Sequence, residues 1–98
     1  MSRRLSLTPQ SRADIKEIRD YIASYSKEAA RIFNVQIVGV LSSLCDMPLM
    51  GRKRDDLSPD LYGFVSGKYI VFYRLKGSNT LEIVRVLHSA RDMTSIFN

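Results

Sequence analysis

The hydrophobic period of this chain changes once, and that change limits what it can fold into. From Pro9 to about Met47 the apolar residues recur every three or four positions, and from Leu61 to Leu87 they recur every second position. A helical half followed by a strand half calls for helices packed on one sheet. With 98 residues there is room for one such pair of layers and no second domain, so 1–98 is read as a single domain.

The helical half divides in two. Ile15, Ile18, Ile22 and Tyr25 form one stripe, with Arg12, Lys16, Glu17, Arg19 and Asp20 around it. Thr8 can cap this segment and Pro9 suits its first turn, which predicts a helix from Pro9 to Tyr25. Ser26 is a second cap, for a helix from Lys27 to Met47 whose stripe is Phe33, Ile37, Val40, Leu41 and Leu44, and Pro48 ends it. These two stripes, Tyr25 apart, are the expected core. Gly39, in mid-helix, costs roughly 1 kcal/mol relative to alanine, so either a close helix crossing requires it or it is tolerated.

The strands are expected at Arg3–Leu7, Leu61–Val65, Tyr69–Leu75 and Leu81–Leu87. Ser66-Gly67-Lys68 and Lys76-Gly77-Ser78-Asn79 are short enough to be hairpin loops, so the last three strands form an antiparallel meander. The fold class is α+β in the order β-α-α-β-β-β, a helical hairpin on a small, mainly antiparallel sheet. Where the first strand pairs is left open, and the tail from Ser89 to Asn98 is expected to be partly ordered at most.

Many chemistries are excluded. A single cysteine, Cys45, forms no internal disulfide, and with one histidine, His88, no His/Cys zinc site can be assembled; no metal or cofactor is expected. The basic start has no apolar run behind it and Ile37–Leu41 is far too short to span a membrane, so a reducing cytoplasmic location is expected. Gly63 to Tyr69 mimics a phosphate loop but is one residue short and has no Ser/Thr after its lysine. Asp14, Glu17 and Asp20 are interleaved with Arg12 and Lys16, which reads as a solvated, salt-bridged face and not an acid/base pair.

What survives is basic. The net charge is +5, which favours an acidic partner. Arg52, Lys53 and Arg54 follow Gly51 in a loop, and Arg74 and Arg85 interrupt apolar strands. Either the strand arginines hold their guanidinium groups in water, or the sheet face away from the helices carries a cationic groove built from Arg74, Arg85 or His88, and the Gly51 loop. His88 is either a hydrogen-bonded structural residue or a group that moves a proton near neutral pH.

Several blocks together are more specific. Leu7-Thr8-Pro9 with Ala13-Asp14-Ile15, Ile18 and Tyr21-Ile22, then Met50-Gly51-Arg52, Tyr69 to Arg74, and Glu82 to Asp92 resemble the ParE branch of the RelE/ParE superfamily of bacterial type II toxins, over nearly the whole chain. The resemblance implies a helical hairpin on a small sheet and a toxin that poisons DNA gyrase on cleaved DNA without catalytic residues of its own. It also implies a ParD-like antitoxin bound as a heterotetramer or larger assembly, with DNA contacted only through the antitoxin or the gyrase complex. Residues that would contact target or antitoxin are Arg52, Lys53, Arg54, Tyr73, Arg74, Arg85, His88, Arg91 and Asp92. A cationic face should draw an acidic antitoxin helix and extended arm across the hairpin and sheet, and a mobile segment from His88 onward should act on gyrase.

RelE-like relatives imply the alternative, a ribosome-dependent mRNA endoribonuclease in which Arg74 and Arg85 would stabilise phosphate charge and His88 would shuttle a proton. That pattern often includes a tyrosine near the C-terminus, where this chain has only Phe97. A third reading is a retired toxin serving as half of a repressor complex.

Overall fold

The computed structural model describes residues 2–97. Strand β1 (Arg4–Leu7) leads into helix α1 (Pro9–Ala23), then helix α2 (Lys27–Asp46), strands β2 (Arg52–Lys53), β3 (Tyr62–Ser66), β4 (Tyr69–Lys76) and β5 (Thr80–His88), and a short helix α3 (Met93–Phe97). The caps are those the sequence predicts. The Thr8 hydroxyl accepts from the Ser11 amide at 3.1 Å and the Ser26 hydroxyl from the Ala29 amide at 3.1 Å.

The sheet runs β1-β5-β4-β3-β2. Only β1 pairs in parallel, Arg4 opposite Thr80 and Leu7 opposite Ile83, which answers where the first strand goes. Positive φ at Gly67 and Gly77 closes the two hairpins. Between the Phe72–Arg85 and Tyr73–Ile83 pairs the register slips by one residue, leaving Val84 as a bulge. Leu81 and Ile83 therefore face the helices, but so does Val86, while Val84 and Leu87 turn to the other side.

Ile22, Phe33, Ile37, Leu41 and Leu44 are buried against Val71, Tyr73, Leu81, Ile83 and Val86, with Ile15, Ile18 and Val40 half-buried beside them. Tyr25 lies outside the core and is exposed, because α1 stops at Ala23. Gly39 meets no close crossing, since a Cβ added there finds nothing within 4 Å.

The second sheet face departs from expectation. It is not an open cationic surface: Leu57 and Leu61 of the central loop and Met93, Ile96 and Phe97 of α3 cover Phe72, Leu87, Ile70 and Val84. The Phe72 and Phe97 rings meet edge-on with centroids 4.8 Å apart. The tail is thus folded back as a helix that shields a second small core, and not a segment awaiting a partner; Asn98 lies outside the described residues.

Candidate functional site

Two of the depressions beside the helices also border the sheet. The larger, a groove of about 680 Å³ between α2 and the β3–β4 hairpin, is lined by Phe33, Ile37, Gly39, Val40, Met47, Met50, Phe64 and Tyr69. Met47 and Met50 at its rim are exposed, and Gln36, Ser43 and Ser66 are its polar members. A long apolar trough beside an amphipathic helix is the shape that receives another helix. The groove explains Gly39, which keeps its wall low without any steric demand from a neighbouring element.

The smaller cleft, of about 270 Å³, opens between α1 and the end of β5 and is lined by Glu17, Ile18, Tyr21, Tyr69, His88 and Arg91 among others. Burial pushes the Tyr69 hydroxyl above its ordinary pKa, helped by Tyr25 and Tyr21 nearby. Its ring stands edge-on to that of His88 at 5.6 Å. His88 Nδ1 accepts the Ala90 amide at 3.0 Å, so in the neutral ring the proton sits on Nε2.

The structure redistributes the nine candidate residues. Arg85 is no open cation: its Nε and Nη2 bond Asp14 Oδ2 and Oδ1 at 2.7 and 3.0 Å, and the carboxylate raises the arginine pKa. Asp14, expected on a solvated face, is buried, and its Oδ2 also accepts the Val86 amide at 3.0 Å. The reason is the sheet edge. β1 ends opposite Ile83, so beyond it β5 has no neighbouring strand, and Asp14 supplies the acceptor that a longer β1 would have given. Glu17 and Asp20 are exposed as expected, and Asp20 pairs with Lys16.

Tyr73 is fully buried. Its hydroxyl donates to the Pro48 carbonyl at 2.7 Å and accepts the Gly51 amide at 3.0 Å, pinning the turn after α2 to the sheet. Any side chain at position 51 would run into that hydroxyl, so Gly51 is a packing requirement. The basic run after it is largely answered by its own loop. Lys53 lies 3.9 and 3.5 Å from Asp55 and Asp60, and Arg54 bonds Asp56 through two nitrogens. Arg74 is tied to the same loop by a 2.6 Å bond from Nη2 to the Ser58 hydroxyl. Asp92 bonds the Ser95 hydroxyl and amide and so caps α3. Among the described residues, Arg52 and Arg91 are the two exposed cations of the candidate set that pair with no carboxylate.

Sequence reasoning missed the groove residues Met47, Met50 and Phe64. The signal was present as methionines just past the α2 stripe, and for Phe64 as an apolar residue of an expected strand. Among the described residues no group of three or more His, Cys, Asp or Glu side chains could hold a metal ion, and no helix is long and apolar enough to cross a membrane.

The comparisons with known proteins agree with this fold. Toxin ParE1 of Mycobacterium tuberculosis is 29% identical over 96 residues, covering 95% of this chain and 96% of that protein. A chain of the chromosomal ParDE toxin-antitoxin system from P. aeruginosa superposes with a TM-score of 0.74 at 22% identity, covering 89% of this chain and 96% of its own. A chain of the toxin-antitoxin complex RelBE2 from M. tuberculosis gives 0.66 at 21%, covering 90% and 99%, so the two share the fold. The model of the ParE toxin of the type II toxin-antitoxin system parDE matches residues 5–93, and this chain accordingly belongs to the ParE toxin family.

Proposed function

We propose that this toxin acts by binding and inhibiting DNA gyrase, and that a ParD-like antitoxin silences it by laying an amphipathic helix into the groove between α2 and the β3–β4 hairpin. The observation that carries the reading is that groove: most of its lining is apolar, and Met47 and Met50 stand exposed at its rim. The solved relatives are toxin-antitoxin systems, which supports an antitoxin as the occupant.

A binding mode of action is favoured over catalysis by the state of the basic groups. RNA cleavage requires one group to take the 2′-OH proton and another to supply a proton to the leaving oxygen. Arg85 is committed to Asp14, Arg74 to Ser58, and the His88 Nδ1 lone pair to the Ala90 amide. The endoribonuclease alternative would have to work with Glu17, Tyr69 and Arg91 around the smaller cleft.

Purified toxin added to a gyrase supercoiling reaction tests the reading. Inhibition that accumulates cleaved DNA, relieved by equimolar antitoxin, is expected. Ribosome-dependent mRNA cleavage with gyrase unaffected would overturn it. Met47→Asp, at the exposed rim of the groove, should release the antitoxin while leaving the toxin folded.

A further inference from the structure

We infer that the outer face of α2 is where two copies of this chain associate, their α2 helices packed antiparallel about a two-fold axis. This pairing depends on neither gyrase nor antitoxin.

α2 buries Phe33, Ile37, Leu41 and Leu44 on one side, yet its other side is not built to meet water. A helix at the surface carries charged and polar residues opposite its buried stripe, as α1 does with Arg12, Lys16 and Asp20. Between Ile32 and Cys45, α2 has no charged residue. Ile32, Val35, Gly39 and Ser42 follow one another by three or four positions and so share a face, with Val38 beside them. Ile32, Val35 and Val38 are 43, 61 and 58% exposed, a run of β-branched side chains that this chain itself leaves in water.

The face is complementary to its own reverse. Its first half is bulky, with Ile32 and Val35, and its second half is small, with Gly39, Ser42 and Ser43. A Cβ added at Gly39 meets nothing within 4 Å, so there is room for a side chain from outside. A two-fold axis crossing α2 near position 37 sets Val35 over Gly39 and Ile32 over Ser42 of the second copy. The same axis brings Asp46 to the start of the other α2, where Lys27 and Arg31 flank Glu28. Asp46 is exposed and forms no ion pair among the described residues, and neither do Lys27 and Arg19. Those two cations line, with Arg31, Ala23 and Val35, a hollow of about 400 Å³ between α1 and α2. A parallel pair would instead set Asp46 against Asp46 and Lys27 against Lys27, so the charges select the antiparallel one. The seam is roughly 20 Å long at 1.5 Å per residue, and each chain carries +5, so the association is weak.

Sedimentation velocity on the free toxin, with reductant present to keep Cys45 a thiol, tests this across a range of concentrations. Dimers should form at about 10–100 μM, the range of a small interface. A chain that stays monomeric up to about 1 mM overturns the inference and leaves the face to a different protein. Val35→Lys should weaken dimerisation about tenfold or more, and the helical circular dichroism of the dilute chain should not change, because the single chain leaves Val35 in water. Wild-type dimerisation by a folded Val35→Lys chain also overturns the inference. The orientation is read from a charge exchange. Asp46→Lys should weaken the dimer, and adding Lys27→Glu should restore it by remaking the pair with its signs reversed. Each change suits its end of the α2 dipole, so the helix is retained. A double variant that dimerises no better than Asp46→Lys alone would overturn the antiparallel arrangement.

Discussion

Asp14 and Arg85, 71 residues apart in the chain, meet through two hydrogen bonds of 2.7 and 3.0 Å, and the same carboxylate accepts the Val86 amide. The pair clamps α1 onto β5 where the sheet loses its outer strand. Removing one partner of such a pair leaves the other charge half-buried and unanswered, which is the costly way to break it. Asp14→Ala should lower stability by about 2–4 kcal/mol in urea unfolding. Asp14→Asn, which can still accept the Val86 amide, should lose less, and Asp14→Ala with Arg85→Leu should recover part of the loss. Equal stability of Asp14→Ala and the wild type would show the clamp to be idle.

The Tyr73 hydroxyl holds both the Pro48 carbonyl and the Gly51 amide. Tyr73→Phe strands the two groups and should cost about 1–2 kcal/mol. Gly51→Ala pushes a methyl into the hydroxyl and its ring and should cost about 1–3 kcal/mol. The two losses should not add, because both changes break one contact. An additive double mutant in thermal unfolding would contradict this.

Most of the fold was legible from periodicity and capping, and most of the site was not. Thr8-Pro9, Ser26 and the Phe33 to Leu44 stripe depend on neighbours within one or two turns, so the sequence displays them directly. The role of Arg85 depends on a carboxylate in another element and on a bulge at Val84 that shifts the face of every later residue in β5. Spacing alone places Asp14 among surface charges, since nothing local says that β1 will stop at Leu7. Lys53 and Arg54 read as a cationic patch because a linear reading does not fold Asp55, Asp56 and Asp60 back onto them. The α3 cover was hidden for a similar reason: Met93, Ile96 and Phe97 are too few to show a period.

Gly39 permits a test of fold against function. With open space around its Cβ position, Gly39→Ala should stabilise the toxin by about 0.5–1 kcal/mol through helix propensity. Gly39→Leu should also be tolerated by the free chain, yet it builds up one wall of the groove and should weaken antitoxin binding. Destabilisation by Gly39→Ala, read from the melting temperature, would show that the helix meets a constraint at that point.

Asp92 makes the cover over the second core sensitive to acid. The Ser95 hydroxyl and amide hold its carboxyl below the ordinary carboxylate range. A lowered folded pKa means that the cap contributes above the unfolded value of about 3.9 and is lost as pH falls through the lower folded value. The contact between Phe97 and Phe72, followed by ring NMR, should therefore loosen below about pH 4. Asp92→Asn, a neutral cap, should abolish that pH dependence while keeping α3 docked at pH 7.

Truncation after Ser89 takes away Met93, Ile96 and Phe97 and leaves Phe72, Leu61 and Leu87 facing water. Those residues are fully or almost fully buried in the intact chain, so the shortened one should lose about 2–4 kcal/mol. Loss of toxicity on truncation is then a folding effect and says nothing about contact with the target. Arg91→Glu separates the two, because Arg91 is exposed and touches the smaller cleft without joining either core. It should leave the melting temperature within a degree or two, since a surface charge away from the core changes stability by only about 0.5 kcal/mol. If the end of the chain contacts gyrase, Arg91→Glu weakens inhibition of supercoiling with the fold untouched. Full inhibition by this variant would remove the segment after β5 from the target surface and leave α3 with a purely structural task.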